Sequence, residues 1–320
     1  MIPARPAGAS RSIAPIDTLL LLMTLIWGTN YSIVKHAFLE IDPQAFNAVR
    51  MVIASTVFVA IIVSVRRMSG RVARDVFYTP APITRRDWTT IAALGVVGHF
   101  LYQYFFIGGL ARTSVANSSL MLAATPVVIA LMSAALGQER IGRLHWLGAA
   151  LSMGGIYIVV GHGIGVDRTT LTGDLMMFAG VCCWAIYTLG ARRLMLRHSP
   201  VGVTGFSMAI GTVIYVPVML PNMLRTDWPA ISAGTWVALV YSALFALCVA
   251  YTIWYMAVRE IGSARTSVYS NLVPIVAMLT AVVFLGEELT AARMAGAGAV
   301  LVGVALTRVG KTTPLLPAEE

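Results

Sequence analysis

Apolar residues fall along this chain in long runs separated by short polar stretches. A helix that crosses a membrane needs about 20 predominantly apolar residues. Runs of that kind occur at roughly 16–35, 44–65, 88–110, 115–136, 145–161, 173–191, 201–221, 234–257, 265–285 and 291–308, which predicts ten spans. The connections are short except 66–87, which gathers Arg66, Arg67, Arg71, Arg74, Arg85 and Arg86 with Pro80 and Pro82. No room remains for a soluble domain.

Within the first run, Trp27, Asn30 and Tyr31 stand at i, i+3 and i+4, so on a helix they share one face. The same layout returns in the sixth run. Asp17 pairs with Asp174, Trp27 with Trp184, Lys35 with Arg192 and Pro43 with Pro200, all at an offset of 157. Further on, Trp88 pairs with Trp236 and Pro126 with Pro274 at 148. LGQE at 136–139 matches LGEE at 285–288, and Gly154 matches Gly303, at 149. The pentapeptide ARTSV, at 111–115 and 264–268, lies at 153 and falls outside this register. The chain reads as one unit written twice. Five spans per unit is an odd number, so the second unit enters the membrane upside down. Inverted repeats of this kind are a transporter signature, because the halves can rock about a central site.

Composition agrees with the spans. The chain is 58% hydrophobic and 12% charged, with a mean hydropathy of +0.79, against about 25% charge in a soluble protein. The net charge of +9 reads as Arg and Lys flanking membrane spans rather than as a nucleic-acid surface. With the N-terminus inside, the inner segments carry 17 of the 23 Lys and Arg and the outer ones 5. That bias predicts both termini in the cytosol. The N-terminal stretch has no small-residue cleavage site and reads as a short tail before a retained span. Cys182, Cys183 and Cys248 lie in apolar runs without metal spacing and read as reduced packing residues.

Together, Trp27-Gly28-x-Asn30-Tyr31-x-x-x-Lys35, then Pro43, Arg50 and Pro126, then Gly-x-Glu before the fifth span, resemble the EamA-type module of the drug/metabolite transporter superfamily. The resemblance covers residues 16–308. It implies ten helices in two inverted halves and export of small metabolites, with bacterial amino-acid exporters as a near likeness. In the second half Ala185 replaces Gly28 and Ser207 replaces Arg50. Any role of that Gly or Arg is therefore confined to the first half. The expected organisation is a cytosolic tail 1–15, a five-helix repeat 16–162, its inverted partner 163–309, and a cytosolic tail 310–320.

Polar groups inside a membrane must find a partner or water, which makes them informative. All 14 acidic residues lie at span ends, in loops or in tails. Carriers driven by protons or sodium commonly use an intramembrane carboxylate, so this pattern favours facilitation or exchange. His99 lies near the middle of span 3, sharing a helical face with Tyr102, Gln103 and Phe106; it reads either as a proton-sensing group or as a neutral, hydrogen-bonded one. Deep aromatics add Trp184, Tyr187 and Thr188 on span 6 and Tyr251, Trp254 and Tyr255 on span 8. Ser119, Ser267 and Asn271 are polar positions on spans 4 and 9. Pro126 and Pro274 should kink those spans and free carbonyls there.

These residues form the expected substrate site: Trp27, Asn30, Tyr31, His99, Tyr102, Gln103, Ser119, Trp184, Tyr187, Tyr251, Trp254, Tyr255, Ser267 and Asn271. A largely aromatic pocket with a few polar anchors suits amino acids or other amphipathic solutes. Small residues spaced by four on spans 5 and 10 read as helix packing or a dimer seam. Glu287 and Glu288 should favour the N-terminus of span 10. Lys35 should cap its own helix or attract a substrate carboxylate.

The expected protein is a multi-pass, inner-membrane exporter of amino acids or similar metabolites, without metal or cofactor, as monomer or homodimer. A proton-coupled drug or metabolite exporter is the alternative. The spacing of His162 and Asp167 also fits an acyltransferase motif, though no catalytic domain surrounds it.

Overall fold

The computed structural model describes residues 15–67, 76–77, 81–135, 139–161, 168–261, 266, 269–309 and 312–314. These residues form ten long helical segments. They are α1 (Pro15–Ala37), α2 (Pro43–Arg67), α3 (Arg85–Arg112), α4 (115–135), α5 (Arg143–Gly161), α6 (Arg168–Met195), α7 (Pro200–Val218), α8 (Ala233–Ile261), α9 (269–285) and α10 (Ala291–Val309). Seven of them are long and apolar enough to cross a membrane: α1, α2, α3, α4, α6, α7 and α8. The apolar stretches of α9 and α10 are shorter. A three-residue ribbon, β1 (Glu139–Ile141) against β2 (Thr312–Pro314), is the one departure from an all-helical chain among the described residues.

The helices are arranged inside out relative to a soluble bundle. On α1, Thr24, Asn30, Tyr31 and Ser32 are buried, while Leu21, Leu22 and Leu25 are exposed. On α2, Asn47, Arg50 and Ser55 are buried, while Val52, Val59 and Val63 face outward. In water this would expose the wrong surface; in lipid the leucines and valines meet hydrocarbon and the polar groups meet each other. The protein is therefore an all-helical, polytopic membrane protein.

Residues at equivalent positions of the two halves touch. Ser55 and Thr212 share a hydroxyl–hydroxyl hydrogen bond of 2.7 Å, at an offset of 157. Gln103 Nε2 donates to the Tyr251 hydroxyl at 3.2 Å, at an offset of 148. Equivalent residues can meet only where a pseudo-symmetry axis passes between them. The helix irregularities also pair. A π-helical stretch interrupts α3 at Val96–Leu101 and α8 at Ser242–Val249. α4 breaks at Ala123–Ala124 and resumes at Thr125 with Pro126 second; α9 opens as a 3₁₀ turn, Tyr269–Leu272, before Val273 and Pro274.

Close packing explains where the halves differ. A Cβ on Gly28 would stand 2.4 Å from Val276 Cβ, so glycine lets α1 and α9 approach. The equivalent Ala185 on α6 instead packs with Val128 and Ile129 of α4, which leave room for its methyl group. Small residues join α5 to α10 within one chain: a Cβ on Gly303 would lie 2.5 Å from Gly148 O, and one on Gly155 2.7 Å from Gly296 O.

Two charged residues serve helices other than those expected. Lys35 Nζ donates to Leu110 O, Ala111 O and Thr113 O, at 2.7, 3.1 and 2.9 Å. It thus caps the C-terminus of α3 rather than of α1, because α3 ends beside it with orphan carbonyls. Glu287 accepts from the backbone N–H groups of Val115 and Ala116, at 2.8 and 3.3 Å. It caps the N-terminus of α4, not of α10, where a carboxylate complements the free N–H groups.

Candidate functional site

A narrow, partly open cavity of about 40 Å³ lies between the two halves. From α1 it takes Trp27, Asn30 and Tyr31, the three positions that share a face. From α3 it takes Tyr102, Gln103 and Phe106, and from α2 Arg50. The second half contributes Trp184 of α6, Ala246, Leu247 and Tyr251 of α8, and Ser270 of α9. Leu122 and Thr125 complete it at the break in α4.

The walls are mostly aromatic. Trp184 lies 5.0 Å from Tyr102 and 5.2 Å from Tyr251, centroid to centroid. Trp27 meets Trp184 and Tyr251 edge to face, each at 5.9 Å. Its indole N–H donates to Ala246 O at 3.0 Å, a carbonyl in the π stretch of α8. Such ring pairs contribute roughly 0.5–1.5 kcal/mol each beyond their burial. Tyr31 packs on Phe106 at 5.5 Å.

Polar atoms are few. Arg50, 1% exposed, donates from Nη2 to Gln103 Oε1 at 2.7 Å and from Nη1 to Ser242 Oγ at 3.0 Å. Gln103 in turn donates to Tyr251. Among the described residues, Asn30 Oδ1, the Tyr31 hydroxyl and Arg50 Nε have no hydrogen-bond partner. All three belong to side chains that line the cavity. Buried polar atoms are normally satisfied, so these are positions where a bound molecule or water would supply what is missing.

Other expected site residues lie behind this wall. His99, Tyr187, Trp254, Tyr255 and Ser119 are buried but do not line the cavity. His99 packs against Tyr187 at 4.8 Å and Tyr251 at 5.9 Å. It sits in the π stretch of α3, whose wider turn shifts its phase away from Tyr102, Gln103 and Phe106. Tyr187 bonds Ser207 at 2.9 Å, and Ser119 donates to Ala116 O at 3.0 Å. Ser267, His162 and Asp167 lie outside the described residues, as does the side chain of Asn271. The carbonyl freed by Pro126, Leu122 O, accepts from Thr125 Oγ1 at 2.6 Å and so is already engaged.

The expected site omitted Arg50, Phe106, Leu122, Thr125, Ala246, Leu247 and Ser270. Arg50 carried a usable signal, as a lone basic residue inside an apolar span. Ala246 and Leu247 carried none, since the π stretch that turns them inward has no sequence mark. Among the described residues, no cluster of His, Cys, Asp or Glu could hold a metal ion.

A helical membrane bundle with a small cavity shared by two equivalent halves is the architecture of a small-molecule transporter. The model of the EamA-like transporter family matches twice, at residues 14–161 and 171–309, and the chain belongs to that family. Its relatives include the Bacillus subtilis protein described as uncharacterized transporter YyaM. That protein is 26% identical over 292 residues, covering 90% of this chain and 92% of the relative. A probable terminal-alkyne amino-acid exporter of Streptantibioticus cattleyicolor is 28% identical, covering 69% and 73%. A probable amino-acid metabolite efflux pump of Salmonella typhimurium is 23% identical, covering 91% and 94%. One solved crystal structure superposes with a TM-score of 0.67 at 20% identity, covering 93% of this chain and 98% of that one, which shows the fold. Membership of a transporter family displaces the acyltransferase reading of His162 and Asp167.

Proposed function

We propose that the protein exports amino acids, apolar or aromatic ones favoured, or similar small amphipathic metabolites across a bacterial inner membrane, both termini being cytosolic. The observation that carries this reading is the cavity: aromatic walls drawn from both halves, with a few unpartnered polar atoms. At about 40 Å³ the cavity holds a few waters in this conformation, so a solute enters it only as the halves part. Two relatives described as amino-acid exporters or efflux pumps support the substrate class.

Alternating access follows from the inverted halves, 16–162 and 163–309, rocking about contacts such as Ser55–Thr212. Pro126 and Pro274 mark the breaks in α4 and α9 at which those helices would bend. Asp17 ties α1 to α9 by accepting from the Tyr269 hydroxyl at 2.6 Å. Its equivalent Asp174 lies beside Thr113 and Asn117 at the start of α4.

Facilitation or exchange is favoured, because neither salt bridge nor carboxylate reaches the cavity among the described residues. One observation supports proton coupling as the second reading: neither ring nitrogen of buried His99 has a described partner. Uptake of a labelled amino-acid panel into proteoliposomes, with and without an imposed pH gradient, separates the two. A gradient-driven component that vanishes in His99→Gln would favour coupling. Gradient-independent uptake, unchanged by His99→Gln, favours facilitation.

A further inference from the structure

Arg50 is a buried cation without a counter-ion. A charged group in a low-dielectric interior is costly unless it is paired, and among the described residues no carboxylate comes within ion-pair distance of it. A guanidinium has five N–H donors in a planar fork. Two bonds are made, to Ser242 and Gln103, both neutral acceptors. Nε, fully buried, makes none among the described residues. The side chain also lines the cavity. If Arg50 merely stapled α2 to α3 and α8, a neutral amide would serve without the cost of a buried charge. The second half keeps Ser207 at the equivalent position, and that serine hydroxyl bonds Tyr187. The cavity is therefore electrically lopsided, positive on one wall only.

Resting on the reading of this cavity as the transport site, we propose that Arg50 anchors an anionic group of the substrate. The ligand class is then an aromatic or branched apolar body carrying a carboxylate, the body held between Trp27, Trp184 and Tyr251. Arginine suits this task because its fork matches a carboxylate with two parallel hydrogen bonds. Asn30 Oδ1, unpartnered on the α1 wall, is the acceptor available to an ammonium group when the ligand is a zwitterion.

The test compares three probes of one shape on the purified full chain by calorimetric titration: naphthylacetate, naphthylacetamide and naphthylethylamine. The wild type should bind the acid at least about tenfold more tightly than the amide or the amine, the difference a charge-assisted pair commonly supplies. Arg50→Gln should bind acid and amide alike, and Arg50→Lys should keep the preference for the acid. The wild-type comparison needs no variant to fold. Equal binding of acid and amide by the wild type, preference for the amine, or no binding of any probe would overturn the proposal. So would an acid preference that survives in a folded Arg50→Gln protein. If the acid binds through Arg50 while no amino acid is transported, the anchor stands and the amino-acid reading falls.

Discussion

Trp27 and Trp184 are 157 residues apart in the chain and meet edge to face, ring centroids 5.9 Å apart and planes at 82°. They occupy equivalent positions of the two halves, and both line the cavity. The pair therefore closes the site across the interface between halves that would have to move relative to each other. Its coupling is measurable. Trp27→Ala and Trp184→Ala should each raise the apparent KM for a transported solute. The double variant should fall short of the summed effects by about 0.5–1.5 kcal/mol, the usual worth of such a ring pair. Additive effects would mean that the rings act separately.

Gly28 and Gly154 should respond in opposite ways to a larger side chain. Gly28→Val places a branched side chain where a Cβ alone already meets Val276 at 2.4 Å. Overpacking of this kind costs about 1–3 kcal/mol and should lower the Tm of the purified protein. A Cβ on Gly154 meets nothing within 4 Å. Gly154→Ala should leave the Tm unchanged or raise it, since alanine in a helix gains about 0.5–1 kcal/mol over glycine.

Lys35→Met should loosen the end of α3. The substitution leaves Leu110 O, Ala111 O and Thr113 O without their shared donor. Loss of a charged donor to buried acceptors costs about 1–3 kcal/mol. Hydrogen exchange at the α3–α4 junction should rise, while the cavity probes should still bind. Loss of acid binding in Lys35→Met would instead give Lys35 the anionic subsite.

How much of this was legible in the sequence follows from the kind of signal each feature leaves. Trp27, Trp184, Pro126 and Pro274 were readable because bulky or imino side chains repeat at fixed offsets. The ten helical segments, seven of them long and apolar enough to span, were readable because hydrocarbon imposes a minimum apolar length. The π stretches were not, because a one-residue widening of a helix needs no particular residue. Missing them put His99 on the cavity wall and left Ala246 and Leu247 off it. The partners of Lys35 and Glu287 were also hidden, since helix-end carbonyls and N–H groups accept help from any neighbour in space.

Glu40, in the loop between α1 and α2, gives a pH dependence. It accepts from the Ser232 backbone N–H at 2.9 Å and from the Ser232 hydroxyl at 3.0 Å. These donors hold its carboxyl below the ordinary value of 4.5. A depressed folded value means that the stabilisation is present above the unfolded value and lost as pH falls through the folded one. The Tm gap between wild type and Glu40→Gln should therefore be present at neutral pH and close below about pH 4. A gap that widens in acid would contradict the assignment.

The central claim is that substrate crosses the membrane through the cavity shared by the two halves. The most direct measurement is the initial rate of labelled amino-acid uptake into proteoliposomes holding wild type, Trp27→Ala or Trp184→Ala protein. Saturable uptake by the wild type, reduced at least about tenfold in both variants, is the predicted result, because cavity-lining aromatics dominate binding energy at such sites. Wild-type uptake unaltered in both variants, or no uptake of any amino acid by well-folded protein, would contradict it.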